Sequence, residues 1–256
     1  MPVPGIAIDR TCSMTYLSSL LLDIPGVDHG FETSGNLTLP EGTRYCAQAH
    51  GTHIIDADVE GRDERPVADA LFSRGVRGAV AVITADCLPV LVASVDQPFV
   101  AAIHAGWQGL KAGILGNSIG RLEKEGASLA GLRIVIGPSI GPCCYEVNRK
   151  FVEGIEHADS HLWQNDSPPW TPHRVPPASA PWVEPEVTHN EAWFDLRKYA
   201  LHHLVASGVS IEQIQVLEHC TYCHSADLGS YRRRSHQTEP KSFQYSWIRR
   251  YRDPVC

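Results

Sequence analysis

Three short valine-rich runs in the middle of the chain, Ala79–Thr84, Leu88–Val95 and Phe99–His104, are apolar at nearly every position. Asp86-Cys87 separates the first pair and Asp96-Gln97-Pro98 the second. A strand with one wet face alternates apolar and polar residues, whereas one that is apolar throughout is covered on both faces. The three runs are therefore predicted as buried strands. After Gly106 the period changes: Leu110, Ile114, Ser118 and Leu122 step by four, with Leu115 and Ile119 beside them and Gly126 closing the segment. That spacing predicts an amphipathic helix. Leu132–Ile136 reads as another buried strand, ending in the loop Gly137-Pro138-Ser139-Ile140-Gly141-Pro142. Phe151–His157 is expected as a short helix, Leu196–Ala206 as a helix capped by Asp195 and ended by Gly208, and Ile211–Leu217 as a strand. Between His157 and Asn190 stand seven prolines (Pro168, Pro169, Pro172, Pro176, Pro177, Pro181 and Pro185) and little periodicity. This stretch is predicted to be an exposed, semi-extended insertion whose histidine-bearing ends are surface. Strands alternating with helices indicate an α/β fold. With no internal repeat and no clean boundary, residues 1–256 are read as one domain.

Composition narrows the function classes. The chain has 256 residues, 43% hydrophobic and 20% charged, enough to bury a substantial core. A formal net charge of −7 argues against a general nucleic-acid binder. The basic clusters, Arg232-Arg233-Arg234 and Arg249-Arg250 with Arg252, are short and read as solvated surface. No apolar run approaches the roughly 18 residues of a membrane span. Tyr16–Ile24 is mildly apolar but lacks a basic leader, and Asp23 and Pro25 interrupt it, so it is not read as a signal peptide and a cytoplasmic address is expected. Under those conditions the eight cysteines (Cys12, Cys46, Cys87, Cys143, Cys144, Cys220, Cys223 and Cys256) are thiols and metal ligands rather than a disulfide framework.

Three metal-competent residues sit where the apolar runs stop or between extended pieces. His50 lies in Gln48-Ala49-His50-Gly51, Cys87 follows Thr84-Ala85-Asp86, and His104 ends its strand before Ala105-Gly106-Trp107. Strand ends of a shared sheet bring distant residues together. Two imidazoles and a thiolate suit zinc or copper and leave a tetrahedral position free, the mark of a catalytic site, where bound water titrates near about 7. Their long spacing alone leaves open three separately buried residues, or a hydrolase with Cys87 as nucleophile and His104 as base. The turn into the helix after His104 presents free backbone N–H groups that suit an anion. His53 stands three residues past His50, where a proton shuttle or an idle loop histidine both fit. Cys220-Thr221-Tyr222-Cys223 is a metal or redox half-site. Its partner pair, Cys143-Cys144, is consecutive, and adjacent cysteines do not easily chelate one ion, so these four are expected as packed thiols.

Taken in order, Gln48-Ala49-His50-Gly51, Thr84 to Pro89, His104-Ala105-Gly106-Trp107, Ile136-Gly137-Pro138 through Cys144-Tyr145-Glu146-Val147, Phe194-Asp195-Leu196, Cys220 to Cys223 and Ser230-Tyr231-Arg232-Arg233 resemble the laccase-domain (YfiH-like) family, also called polyphenol oxidase or purine nucleoside phosphorylase. The resemblance runs from about Pro25 to Arg233. It implies a layered α/β sandwich with a mixed sheet and a catalytic metal, zinc or alternatively copper, held by His50, Cys87 and His104. It also implies phosphorolysis of adenosine, inosine and methylthioadenosine, with deamination of adenosine. The substrates would be a small purine nucleoside and phosphate, contacted by Asp86 and Arg233, with no nucleic acid or membrane partner. Editing of a peptidoglycan precursor by amide hydrolysis, copper oxidase chemistry and a non-catalytic zinc protein are the other roles it carries. Oxidase chemistry ranks last, because it wants more histidines than one trio supplies. The sequence departs from the family twice: Gly30-Phe31-Glu32-Thr33-Ser34 lacks the arginine of GFxTR, and the RRDGxTGRQ tail reads Arg232-Arg233-Arg234-Ser235-His236-Gln237. Both regions bear on substrate rather than metal.

Overall fold

The computed structural model describes residues 15–36, 38–59, 65–75, 78–177 and 192–251. Its centre is a six-stranded mixed sheet in the order Ile214–Val216, Leu132–Ile136, Leu88–Ser94, Val100–Ala105, Ala70–Ser73, Ile54–Asp56. The apolar runs alternate between two cores, as strand geometry requires. Val90, Val92, Ala101, Ile103, Ile134 and Ile136 join the helices in one core. Leu91, Ala93, Val100, Ala102 and Val135 face the other way, onto Phe31, Val80, Val82 and Ile248 of a second, five-stranded sheet. The order in that sheet is Thr15–Tyr16, Val27–Glu32, Gln244–Arg250, Val80–Thr84, Arg44–Tyr45. A helical layer, a sheet and a second sheet thus stack, which is why the middle strands show no polar face.

Several sequence expectations need correction. The single helix after Gly106 is two, Trp107–Lys111 and Ile114–Lys124. Gly113 between them takes φ +92°, a left-handed conformation that breaks the helix while leaving the step-of-four pattern intact across the break. The segment Ile211–Leu217 opens with a 3-10 turn, Ile211–Gln213, closed by a capping box with Ser210, and only Ile214–Val216 is strand. The short helix runs Arg149–Asp159, capped by Asn148. The first half of the proline-bearing insertion is exposed along much of its length, as expected, but it carries regular structure: the helix continues to Asp159, the turn Ser160–Trp163 follows, and Trp170–Thr171 pairs with Phe194 and Trp193. Trp163 is buried 5.5 Å from Trp170, ring centre to ring centre. Two tryptophans supply enough apolar area to dock the segment despite its prolines. Residues 178–190 of the insertion, together with Cys12, Arg252 and Cys256, lie outside the described residues.

Candidate metal centre and active site

His50, Cys87 and His104 meet at the seam between the two sheets, and each is placed there by a different device. His104 belongs to Val100–Ala105, where it pairs in register with Pro89. Cys87 lies in the three-residue link from Val80–Thr84 of one sheet to Leu88–Ser94 of the other. His50 sits on a loop pinned by Gln48, whose amide donates to the Ile83 carbonyl (2.7 Å) and accepts from the Ile83 N–H (2.7 Å). The side chain thereby continues the sheet pairing beyond Arg44–Tyr45.

The three ligand atoms lie within 4.8 Å of one another. His50 Nε2 is 3.8 Å from Cys87 Sγ, and the two imidazoles cross at 78° with centres 4.8 Å apart. A nitrogen and a sulfur on one tetrahedral zinc stand about 3.5 Å apart, so this donor set fits a metal. Gly106 makes the approach possible: a Cβ there would come within 2.9 Å of His50 Cδ2 and 3.0 Å of Cys87 Sγ.

Asp69 organises the trio. Its Oδ1 accepts from the His104 ring at Nδ1 (2.8 Å), which turns Nε2 towards the other two ligands. The same carboxylate accepts N–H bonds from His50 (2.9 Å), Gly51 (2.7 Å) and Ala49 (3.2 Å). Those bonds hold His50 at φ +58°, unusual for a residue with a side chain. Burial pushes the Asp69 carboxyl up, but the bonds from His104, Gly51 and Ala49 outweigh it and hold its pKa down to about 2. Burial and the nearby carboxylates of Asp86 and Asp69 push the Cys87 thiol up to about 12. A thiolate there calls for a cation beside it, so the metal-ligand role suits Cys87 better than that of a free nucleophile.

Asp86 and its neighbours build the wall. Asp86 takes φ +90°, and its carboxylate accepts from the Thr221 hydroxyl (2.5 Å) and the Arg232 N–H (2.6 Å). Burial raises its pKa. The trio opens into a cavity of about 920 Å³ whose lining includes Tyr45, Tyr145, Tyr231, Phe243, Arg232 and Arg234. Arg233, by contrast, points into the protein, donating to the carbonyls of Thr221 (2.6 Å), Tyr222 (2.8 Å) and Leu228 (2.8 Å) and pairing with Glu239 (2.9 Å). His53 bonds the Val67 carbonyl (3.2 Å) and does not line the cavity. In the stretch that replaces GFxTR, Glu32 at the free third position is buried and accepts from Trp247 Nε1 (2.7 Å) and the Thr15 hydroxyl (2.7 Å), while the arginine's place is taken by Ser34.

Sequence reasoning missed Asp69; an acid between Ala68 and the apolar stretch Ala70-Leu71-Phe72 was the available signal. The four further cysteines are packed thiols, as expected, but they also converge, which the adjacency of Cys143 and Cys144 was read to oppose. Cys143, Cys144, Cys220 and Cys223 are all buried with their sulfurs within 4.8 Å of one another. Cys143 and Cys144 lie on a tight turn, with Cys144 and Tyr145 both donating to the Gly141 carbonyl (3.0 Å each), rather than on a strand. On a strand adjacent side chains point to opposite faces; on a helix-like turn they diverge by only about 100°.

The layered fold and the open seam site define the class of protein, and residues 32–239 match the family model described as multi-copper polyphenol oxidoreductase laccase. The chain belongs to this laccase-like family. It is 31% identical over 228 residues to purine nucleoside phosphorylase slr1573 of Synechocystis sp., covering 83% of this chain and 81% of that one. With purine nucleoside phosphorylase YfiH of Escherichia coli K12 it shares 29% identity over 216 residues, 84% of this chain and 76% of the other. Among solved structures, YlmD from Geobacillus stearothermophilus superposes with a TM-score of 0.75 at 22% identity, covering 97% of this chain and 100% of that chain. Bacillus licheniformis YfiH does so at 0.74 and 20%, covering 96% and 99%. These two establish the fold. Among the described residues no helix is long and apolar enough to cross a membrane.

Proposed function

We propose that the chain is a zinc-dependent enzyme of purine nucleosides, with phosphorolysis of adenosine, inosine and methylthioadenosine as its main reaction. The observation that carries this reading is the convergence of two imidazoles and a thiol on the wall of a cavity lined by both aromatic rings and arginines. The names borne by the relatives supply the substrate class. His50, Cys87 and His104 would hold the ion, with copper accepted by the same donors. When bound, the metal supplies a Lewis-acidic positive charge beside the reacting atoms.

The chain's own groups do the remaining work. Asp69 keeps the proton on His104 Nδ1, so Nε2 remains a lone-pair donor. Tyr45, Tyr145, Tyr231 and Phe243 line the cavity, with arginines over one side of the first three rings, and a purine stacked on such a ring gains about 1–3 kcal/mol per base where such stacks are measured. Arg232 and Arg234 bring positive charge for phosphate. Phosphorolysis forms a bond from a phosphate oxygen to the anomeric carbon while the glycosidic bond breaks and its electron pair leaves with the purine. The enzyme therefore needs an anion site and a base platform in one cavity. Asp86 positions this wall through Thr221 and Arg232, and Arg233 acts from behind it, fixing the segment that carries Arg232 and Arg234.

Deamination of adenosine is the second reading, favoured by the open three-ligand geometry that zinc deaminases use. Incubating adenosine with the purified enzyme, with and without phosphate, and separating the products distinguishes the two. Adenine and ribose 1-phosphate formed only with phosphate support phosphorolysis; inosine formed without it supports deamination. No turnover of adenosine, inosine or methylthioadenosine overturns both.

A further inference from the structure

We propose that Cys143, Cys144, Cys220 and Cys223 form a second metal centre, a closed tetrathiolate site that takes one zinc ion. Geometry is the first reason. The Cys143–Cys223 and Cys144–Cys223 sulfur separations are 3.7 and 3.4 Å, and all four sulfurs lie within 4.8 Å of one another. Four sulfurs at about 2.3 Å around a tetrahedral zinc stand about 3.8 Å apart. The two pairs come from separate loops. Gly137 to Cys144 follows the strand Leu132–Ile136, and Leu217 to Cys223 follows Ile214–Val216, the parallel partner of that strand. A bridge between Ser139 and Cys220 extends the pairing into the loops and brings the sulfurs together.

The surroundings are the second reason. Four thiolates around a dication leave two negative charges, which need donors nearby. The Gly141 N–H points at Cys220 Sγ (3.3 Å), and the Arg174 guanidinium lies 3.8 Å from Cys144 Sγ while also bonding the Cys143 carbonyl. Cations and N–H groups aimed at sulfur match the outer shell of a thiolate centre, where they offset its charge. A soft four-sulfur set selects zinc among the common divalent ions, and four protein sulfurs fill every tetrahedral corner, so the role is structural even though Cys143 and Cys220 border a second cavity.

Position explains what such a centre would do. Thr221 stands between Cys220 and Cys223 and donates to Asp86, the neighbour of Cys87. Ile140 and Tyr145, which line the active cavity, flank the Cys143-Cys144 turn. A metal at the tetrad would fix both loops and, through them, one wall of the nucleoside site.

Metal analysis of the full-length protein purified with zinc and reductant tests the inference, read beside Cys87→Ala and Cys223→Ser. Wild type should carry two zinc ions per chain and each variant one. Cys223→Ser should also lower the thermal midpoint by roughly 10 °C. Cobalt exchanged into Cys87→Ala should give the intense sulfur-to-metal absorption of several thiolates, which needs no folded Cys223 variant to interpret. A single zinc in wild type that disappears in Cys87→Ala overturns the tetrad, as do tetrad thiols locked in disulfides after purification in reductant, or iron in place of zinc. Loss of zinc only in Cys87→Ala-dependent amount speaks to the trio, whereas nucleoside turnover has no bearing on this result, so the two assignments stand or fall separately.

Discussion

The trio of His50, Cys87 and His104 and the tetrad of Cys143, Cys144, Cys220 and Cys223 are both metal-competent clusters, yet their environments differ in kind. The trio has one thiol, an exposed histidine and a cavity of about 920 Å³ before it; the tetrad is sulfur throughout, and all four of its residues are buried. With a dication, one thiolate and two neutral imidazoles leave a net positive charge facing the cavity, where an anionic substrate gains from it. Four thiolates leave net negative charge facing N–H donors and Arg174. One kind of dication would thus serve as a reaction centre in one place and a clasp in the other. What separates the uses is the open corner and the sign of the residual charge.

The sharpest way to break that contrast is to remove the sulfur of the trio. Cys87→Ala should lower kcat/KM for nucleosides on the order of 10³-fold or more, the equivalent of several kcal/mol of lost charge stabilisation. Circular dichroism should stay native in that variant, because the tetrad and both sheets are untouched. Activity close to wild type would remove the trio from catalysis.

A step outward, Asp69→Asn keeps the shape but weakens the acceptor for His104 Nδ1 and for three backbone N–H groups. Metal affinity at the trio should fall about 10–100-fold. Competition with a chromogenic chelator measures it, and an unchanged dissociation constant would show that His104 is oriented by packing alone.

Acid sets a limit on any such measurement. His29 is buried, and its Nε2 accepts the Ser18 N–H (2.8 Å), so the folded protein prefers the neutral ring. Burial lowers its pKa from 6.5 to about 4, against a small opposing effect of Asp28. The unfolded chain binds a proton below pH 6.5 that the folded chain refuses until about pH 4. Stability should therefore decline as pH falls through that interval, by on the order of 2 kcal/mol at pH 5. Urea unfolding at pH 7.5 and 5.0 checks it: His29→Gln, which keeps an acceptor for Ser18, should lose less on acidification than wild type. Equal losses in the two proteins would exonerate His29.

The smallest effect is expected at Gln48. Gln48→Ala strands both backbone groups of Ile83 and should cost about 1–3 kcal/mol, measured by urea unfolding, with looser metal binding at the trio and none at the tetrad.

Legibility in the sequence followed the same division. The middle strands announced themselves because both faces are apolar, and the three ligands stood out because polar residues interrupt those runs. The outer sheet, Val80–Thr84 apart, was silent: Val27–Glu32 and Gln244–Arg250 bury His29, Glu32, Gln244 and Ser246, so their pattern imitates surface. Glu32 finds its partner in Trp247 and Gln244 in the Gly229 N–H, both outside the local segment, and no local rule anticipates that. Asp69 was hidden for the same reason. The convergence of the tetrad was not foreseen, because consecutive side chains were taken to diverge as they do along a strand. Arg233 was singled out from a resemblance in the tail, whereas Arg232 and Arg234 on either side line the cavity.

The register of one strand pair has a bearing on how the chain matures. Leu88 lies opposite Ala105 and Pro89 opposite His104. Zipping these strands one residue out of phase would rotate His104 into the helical layer, away from Cys87. Only a correctly aligned hairpin presents Cys87 and His104 together, so capture of an ion by the pair would act as proofreading, rewarding the native alignment over its nearest mistakes.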